Sequence, residues 1–118
     1  MGRIFVMVYR PHRGKEHELI PILKSGYMLL RDRGYLTSRP PIMMQASNGC
    51  LLKIFEWKGK ESMSSAEADL QVQQHWMRVS KVCDFEKPVN LEEFKQVFSE
   101  FEAIAWDDWD QPNKKPSK

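Results

Sequence analysis

The chain has 118 residues, 42% of them hydrophobic, and a formal charge of +2, which suits one domain with a sizeable core. Its Lys and Arg residues are scattered, with no basic stripe interleaved with stacking aromatics, so no nucleic-acid partner is expected. No apolar run approaches the roughly 18 residues of a membrane span, and MGRIFVMVYR lacks the pattern of a signal peptide; no membrane partner is expected.

Residues 3–10 form the first expected strand. Ile4, Val6 and Val8 alternate with Phe5, Met7 and Tyr9, so both faces are apolar and the strand is central. Pro11 ends it by removing a donor. Residues 15–33 carry Leu19, Ile22, Leu23, Gly26 and Leu30 at helical spacing, flanked by Tyr27 and Leu29. Pro21 bends this helix or delays its regular start. Gly26 on the buried stripe allows a close approach to the sheet, and Gly34 is a natural stop. Residues 35–41 form an extended loop with two prolines.

The stretch 42–58 organises the rest. It reads as a hairpin with Asn48-Gly49 at its turn, both expected at φ > 0. Its second arm is apolar on both faces: Leu51, Phe55 and Trp57 on one, Leu52 and Ile54 on the other. Residues 59–65 read as a crossing loop. Ser64 and Glu67 form a capping box opening a second helix to about Cys83, with a possible break at Asp69-Leu70. Asn90 and Glu93 open a short turn. Residues 97–106 read as a last, more polar edge strand. Residues 1–106 are expected to be one domain and 107–118 a flexible tail.

The order β-α-β-β-α-β predicts an α+β, ferredoxin-like fold: a four-stranded antiparallel sheet, order 4-1-3-2, with both helices on one face. The other face needs a cover, and a second copy is the simplest one. Cys50 and Cys83 lack metal-ligand spacing and read as buried thiols of a reduced, cytoplasmic protein.

Several segments carry a resemblance. Gly34-Tyr35, Arg39-Pro40-Pro41, Phe55-Glu56-Trp57-Lys58, Val72-Gln73-Gln74-His75-Trp76 and Phe98-Ser99-Glu100-Phe101-Glu102 are similar to dimeric α/β-barrel proteins of the antibiotic-biosynthesis-monooxygenase-like kind. The resemblance spans residues 3–105. It implies a homodimer whose sheets face one another, with the last strand reaching the partner. It also implies a small cofactor-independent enzyme, a monooxygenase or isomerase, acting on a hydrophobic or aromatic small molecule. The alternative is a non-catalytic dimeric module that binds a small ligand or serves assembly. Haem-degrading relatives use an asparagine in strand one, a tryptophan early in helix two and a histidine farther along. Here only His75 corresponds, so haem breakdown is disfavoured and no cofactor is expected.

The candidate site lies between helices and sheet, with His75 and Tyr27 at its rim as catalytic candidates. Tyr9, Met44, Phe55, Trp57 and Trp76 are the ligand-pocket candidates. Each also has a purely structural reading, as packing or, for His75, as a half-exposed helix residue. Arg39 reads as a solvated loop residue or an anion clamp, and Glu56 as a carboxylate without a partner. Gly-rich phosphate loops, nucleophile elbows and metal-ligand clusters are absent from the sequence.

Overall fold

The two central strands pair along their whole length. In the computed structural model, which describes residues 1–105, β1 (Arg3–Pro11) runs antiparallel to β3 (Leu51–Trp57) from Arg3 opposite Trp57 to Tyr9 opposite Leu51. Between them in sequence lie α1 (Glu16–Asp32) and β2 (Ile42–Gln45). After β3 come α2 (Lys60–Glu67), α3 (Leu70–Val82), β4 (Cys83–Glu86), two 3-10 turns at Pro88–Asn90 and Glu92–Lys95, and β5 (Glu102–Ile104). The fold is α+β, with a five-stranded antiparallel sheet in the order β4-β1-β3-β2-β5. No helix among the described residues is long and apolar enough to cross a membrane. The expected tail at 107–118, and the domain edge at 106, lie outside the described residues.

Strand count and order both depart from the expected four-stranded 4-1-3-2 sheet. The strand beside β1 is not 97–106 but Cys83–Glu86, with Pro11 opposite Cys83 and Val8 opposite Glu86. Cys83 continues the apolar stripe of α3, yet its backbone is already extended, at φ −156° and ψ 163°. An ion pair from Arg10 to Glu86 at 2.7 Å and the Tyr9–Phe85 ring contact hold β4 in place. The last strand shrinks to three residues and pairs with β2, Met43 opposite Ile104.

The turns also differ from expectation in detail. Of Asn48 and Gly49 only Gly49 has positive φ, +94°. The Asn48 side-chain oxygen instead accepts from the Cys50 N–H at 3.0 Å. Ala46 N–H donates to the Cys50 carbonyl at 2.9 Å, so Ser47-Asn48-Gly49 is a three-residue hairpin loop with glycine at the left-handed position. Gly34, at φ +79°, does stop α1: Tyr35 N–H donates to Leu30 and Gly34 N–H to Arg31, closing a Schellman motif. The expected crossing loop is helical, because α2 starts at Lys60, with Ser62 Oγ accepting from Gly59 N–H at 3.2 Å. The helix breaks where Asp69 begins a new one. Its carboxylate accepts from the N–H groups of Gln71 and Val72 at 3.0 and 3.4 Å.

The sheet separates two clusters. On one face Tyr9, Leu51, Phe55 and Trp57 pack against Leu19, Leu23, Ala66, Val72 and Val79 of the three helices. On the other, Val8, Ala46, Cys50 and Leu52 pack against Leu91, with Met44 and Phe101 at the margin. The second face is therefore partly covered by the chain's own segment after β4. A row from Ile42 through Ile54 to Val6 lies beyond this cover.

Candidate functional site

Alternation along β1 and β3 turns Phe5, Met7 and Tyr9, with Leu51, Lys53, Phe55 and Trp57, toward the helices. The helices do not fill the space above them. A cavity of about 330 Å3 remains, walled by Phe5, Tyr9, Phe55 and Trp57 from the sheet, and by Leu23, Met63, His75 and Trp76 from the helices. The sheet aromatics form an edge-on group, with Phe5, Phe55 and Trp57 centroids 5.7–5.8 Å apart, in the tilted geometry that ring quadrupoles favour.

Lys53 stands in the middle of this apolar floor and is only 4% exposed. Met7 and Met43 flank it on the neighbouring strands. Its Nζ lies 4.5 Å from the Phe55 ring centroid and 5.7 Å from that of Tyr9, within reach of cation–π attraction. Among the described residues no carboxylate forms an ion pair with it. Burial disfavours the charged form and pulls its pKa down to about 8.

His75 reaches the same cavity from α3. Its imidazole rests on Gly26 of α1, where any Cβ would collide with the ring. That glycine thus makes room for a histidine, not for the sheet. Burial first, then the charges of Lys53 and Arg78, push the His75 pKa down to about 4, so the ring is neutral at pH 7. Its Nδ1 is buried with no hydrogen-bond partner among the described residues, and so is Trp57 Nε1. The Tyr9 hydroxyl donates to Met7 Sδ at 3.6 Å. Burial, with a smaller contribution from Cys83, raises its pKa far above the ordinary phenol value.

Of the residues singled out in the sequence, His75, Tyr9, Phe55, Trp57 and Trp76 meet at the cavity. Tyr27 does not line it; it is buried in the inward stripe of α1. Met44 packs on the opposite face of the sheet, opposite Leu52. Glu56 has partners after all: Arg39 Nε donates to its Oε1 at 2.7 Å and Thr37 Oγ at 2.9 Å. These bonds hold the Glu56 carboxyl below its usual range, and the pair stays away from the cavity. Cys50 and Cys83 are buried free thiols. Burial pushes Cys83 up to about 11, which disfavours thiolate chemistry. Among the described residues no three His, Cys, Asp or Glu side chains are grouped to hold a metal ion. Lys53, Met63, Glu67 and Phe85 are lining residues that the pattern reading passed over. For Lys53 a signal existed, because LLKIFEW places a lysine between Leu51 and Phe55 on the apolar side of a two-faced strand.

No family model matches the chain, and neither a curated protein nor a solved structure matches it significantly. The cavity's chemistry is therefore read from its own residues. It offers an aromatic floor of mutually tilted rings, one buried cation and one neutral imidazole.

Proposed function

We propose that this protein binds a hydrophobic, aromatic small molecule in the cavity between sheet and helices and transforms it without a cofactor. In this reading it resembles the antibiotic-biosynthesis-type monooxygenases and works as a cytoplasmic homodimer. The observation that carries the proposal is the apolar cavity of about 330 Å3 with Lys53 and His75 on its wall, since convergent polar groups in an apolar pocket are the usual mark of a small-molecule site. A neutral imidazole can accept a phenolic proton, and the nearby ammonium stabilises the anion left behind. The resemblance supports oxygen as co-substrate. For a phenol probe such as 1-naphthol, one oxygen atom would enter the quinone product and the other would leave as water.

The test is incubation of the purified protein with 1-naphthol in air, followed by mass analysis of product and thermal melting of the protein. Ligand-induced stabilisation with protein-dependent quinone formation, lost in His75→Ala, is the expected result. Stabilisation with unchanged naphthol selects the second reading, a non-catalytic binding module. One observation favours that reading: neither Lys53 nor His75 has a hydrogen-bonded partner among the described residues to relay a proton. A protein that neither binds nor converts aromatic probes overturns both.

The homodimer draws support from the open part of the second sheet face. Ile4, Val6 and Ile42 there are 57%, 43% and 56% exposed.

A further inference from the structure

We propose that the ligand of this cavity is an aromatic carboxylate, its rings lying on the floor of Phe5, Phe55 and Trp57 and its carboxylate held by the Lys53 ammonium. The inference rests on the small-molecule reading of the cavity and names the chemical class that fills it. Two observations converge. Lys53 is a buried cation with no carboxylate partner among the described residues. A buried charge is strongly disfavoured unless something pairs with it. The rest of the lining is dominated by aromatic and aliphatic side chains, which suit an aryl body and exclude a small hydrated anion.

The surroundings favour an anion over a neutral or cationic ligand. From α3, His75 is neutral and Arg78 adds positive charge nearby. From β1, the Tyr9 phenol stays protonated. From β4, the Cys83 thiol stays protonated up to about 11, and Phe85 is apolar. From α2, Glu67 is the single acidic lining residue among the described residues, and it is exposed. The lining contributions of α1, Leu23 and Leu30, carry no charge. With the site empty, Lys53 loses its proton near pH 8. A bound carboxylate would restore the charged form, so binding takes up a proton above that pH.

The experiment is calorimetric titration of the full chain with 2-naphthoate and with its neutral isostere 2-naphthylmethanol, on wild type and Lys53→Met, from pH 6.5 to 9.5. Wild type should bind the acid roughly tenfold to hundredfold more tightly than the alcohol, as one charge-assisted contact allows. Its affinity for the acid should be level below pH 8 and fall at higher pH, while affinity for the alcohol stays level. Lys53→Met should bind both probes alike. Equal wild-type affinities, a preference that survives Lys53→Met, or a pH-independent preference would overturn the carboxylate assignment and leave the cavity reading standing. Binding of neither probe would overturn both.

Discussion

Lys53 and His75 are the buried charged or polar residues among the described ones, and each sets a pH dependence with a definite sign. A base whose folded pKa is depressed binds fewer protons folded than unfolded, so stability rises with pH through the interval between the two values. For Lys53 that interval runs from about 8 to 10.5 and is worth about 3 kcal/mol at 1.36 kcal/mol per pKa unit. Tyr9 and Cys83, whose pKa values are raised, pull the opposite way above pH 9, so the effect is read as a difference between variants. Lys53→Met should be more stable than wild type by about 1–3 kcal/mol at pH 7, and the gap should narrow as pH rises from 8 in parallel urea melts. A gap that does not change with pH would show that Lys53 is solvated in the folded protein. His75 has its interval between about 4 and 6.5. Wild type should lose stability as pH falls through it, while His75→Gln should lack that component, seen as a shallower acid-unfolding curve. The site is partly legible in the sequence, because helical spacing sets Trp76 on the apolar stripe with His75 beside it, and strand alternation groups Phe55 with Trp57 and Tyr9 with Phe5 and Met7. The same periods say nothing about which inward residues meet a void, so Tyr27 is expected at the rim although it is buried in the core. Nor do they mark which face of a doubly apolar strand is which, and Met44 lies on the face away from the cavity.

At the scale of elements, the junction between α1 and α3 is built around a hole and a peg. His75 fills the space left by the missing side chain of Gly26, and the two helices are locked at that level. Gly26→Ala should cost about 1–3 kcal/mol through overpacking, even though alanine is the better helix former. Combining it with His75→Ala should recover much of that loss, since the collision disappears. A double-mutant cycle measures this coupling, and additive effects would show that the helices shift apart freely. Asp69 is the second fastener. Besides capping α3 it accepts from the Tyr35 hydroxyl at 2.8 Å and pairs with Arg33 at 3.0 Å, tying the end of α1 to the start of α3. Asp69→Ala should lower stability by about 1–2 kcal/mol in chemical denaturation, more than removal of an ordinary exposed carboxylate. In the sequence, β1, α1, β3 and the break at Asp69-Leu70 are legible, because apolar period and helix-stop chemistry agree there. β4 is not, because Cys83 extends the helical stripe and Asp84 and Glu86 look like loop residues. The expected last strand is longer than β5 because alternation continues through 97–101, where only Phe101 packs on the back of the sheet.

At the scale of the molecule, the uncovered half of the second sheet face is what remains to be accounted for. The segment after β4 buries Val8 and Leu52 beneath Leu91, so the monomer needs no partner to keep that half dry. Beyond the cover, cross-strand pairing sets Ile42, Ile54 and Val6 in one row, with Ile4 beside it on β1. β-Branched side chains packed in a row on a sheet are interior chemistry, and burying them stabilises by roughly 25 cal/mol per Å2 of apolar surface removed from water. A two-fold pairing of this face with itself would bury the same row on both copies at once. Phe101 is a poor probe of such a pairing, because it packs against Phe94 at 5.2 Å and against the cluster under Leu91; a charge there would damage the protomer itself. Val6 is the cleaner choice, being 43% exposed on the open row. Light scattering of wild type at micromolar concentration should give twice the 13.9 kDa chain mass. Val6→Lys should give the single-chain mass with its secondary structure retained, because a long charged side chain can reach water from a monomer but would be trapped unpaired between two sheets. Wild type at 13.9 kDa at every concentration, or a Val6→Lys variant that remains dimeric, would show that copies of this chain do not associate through this face.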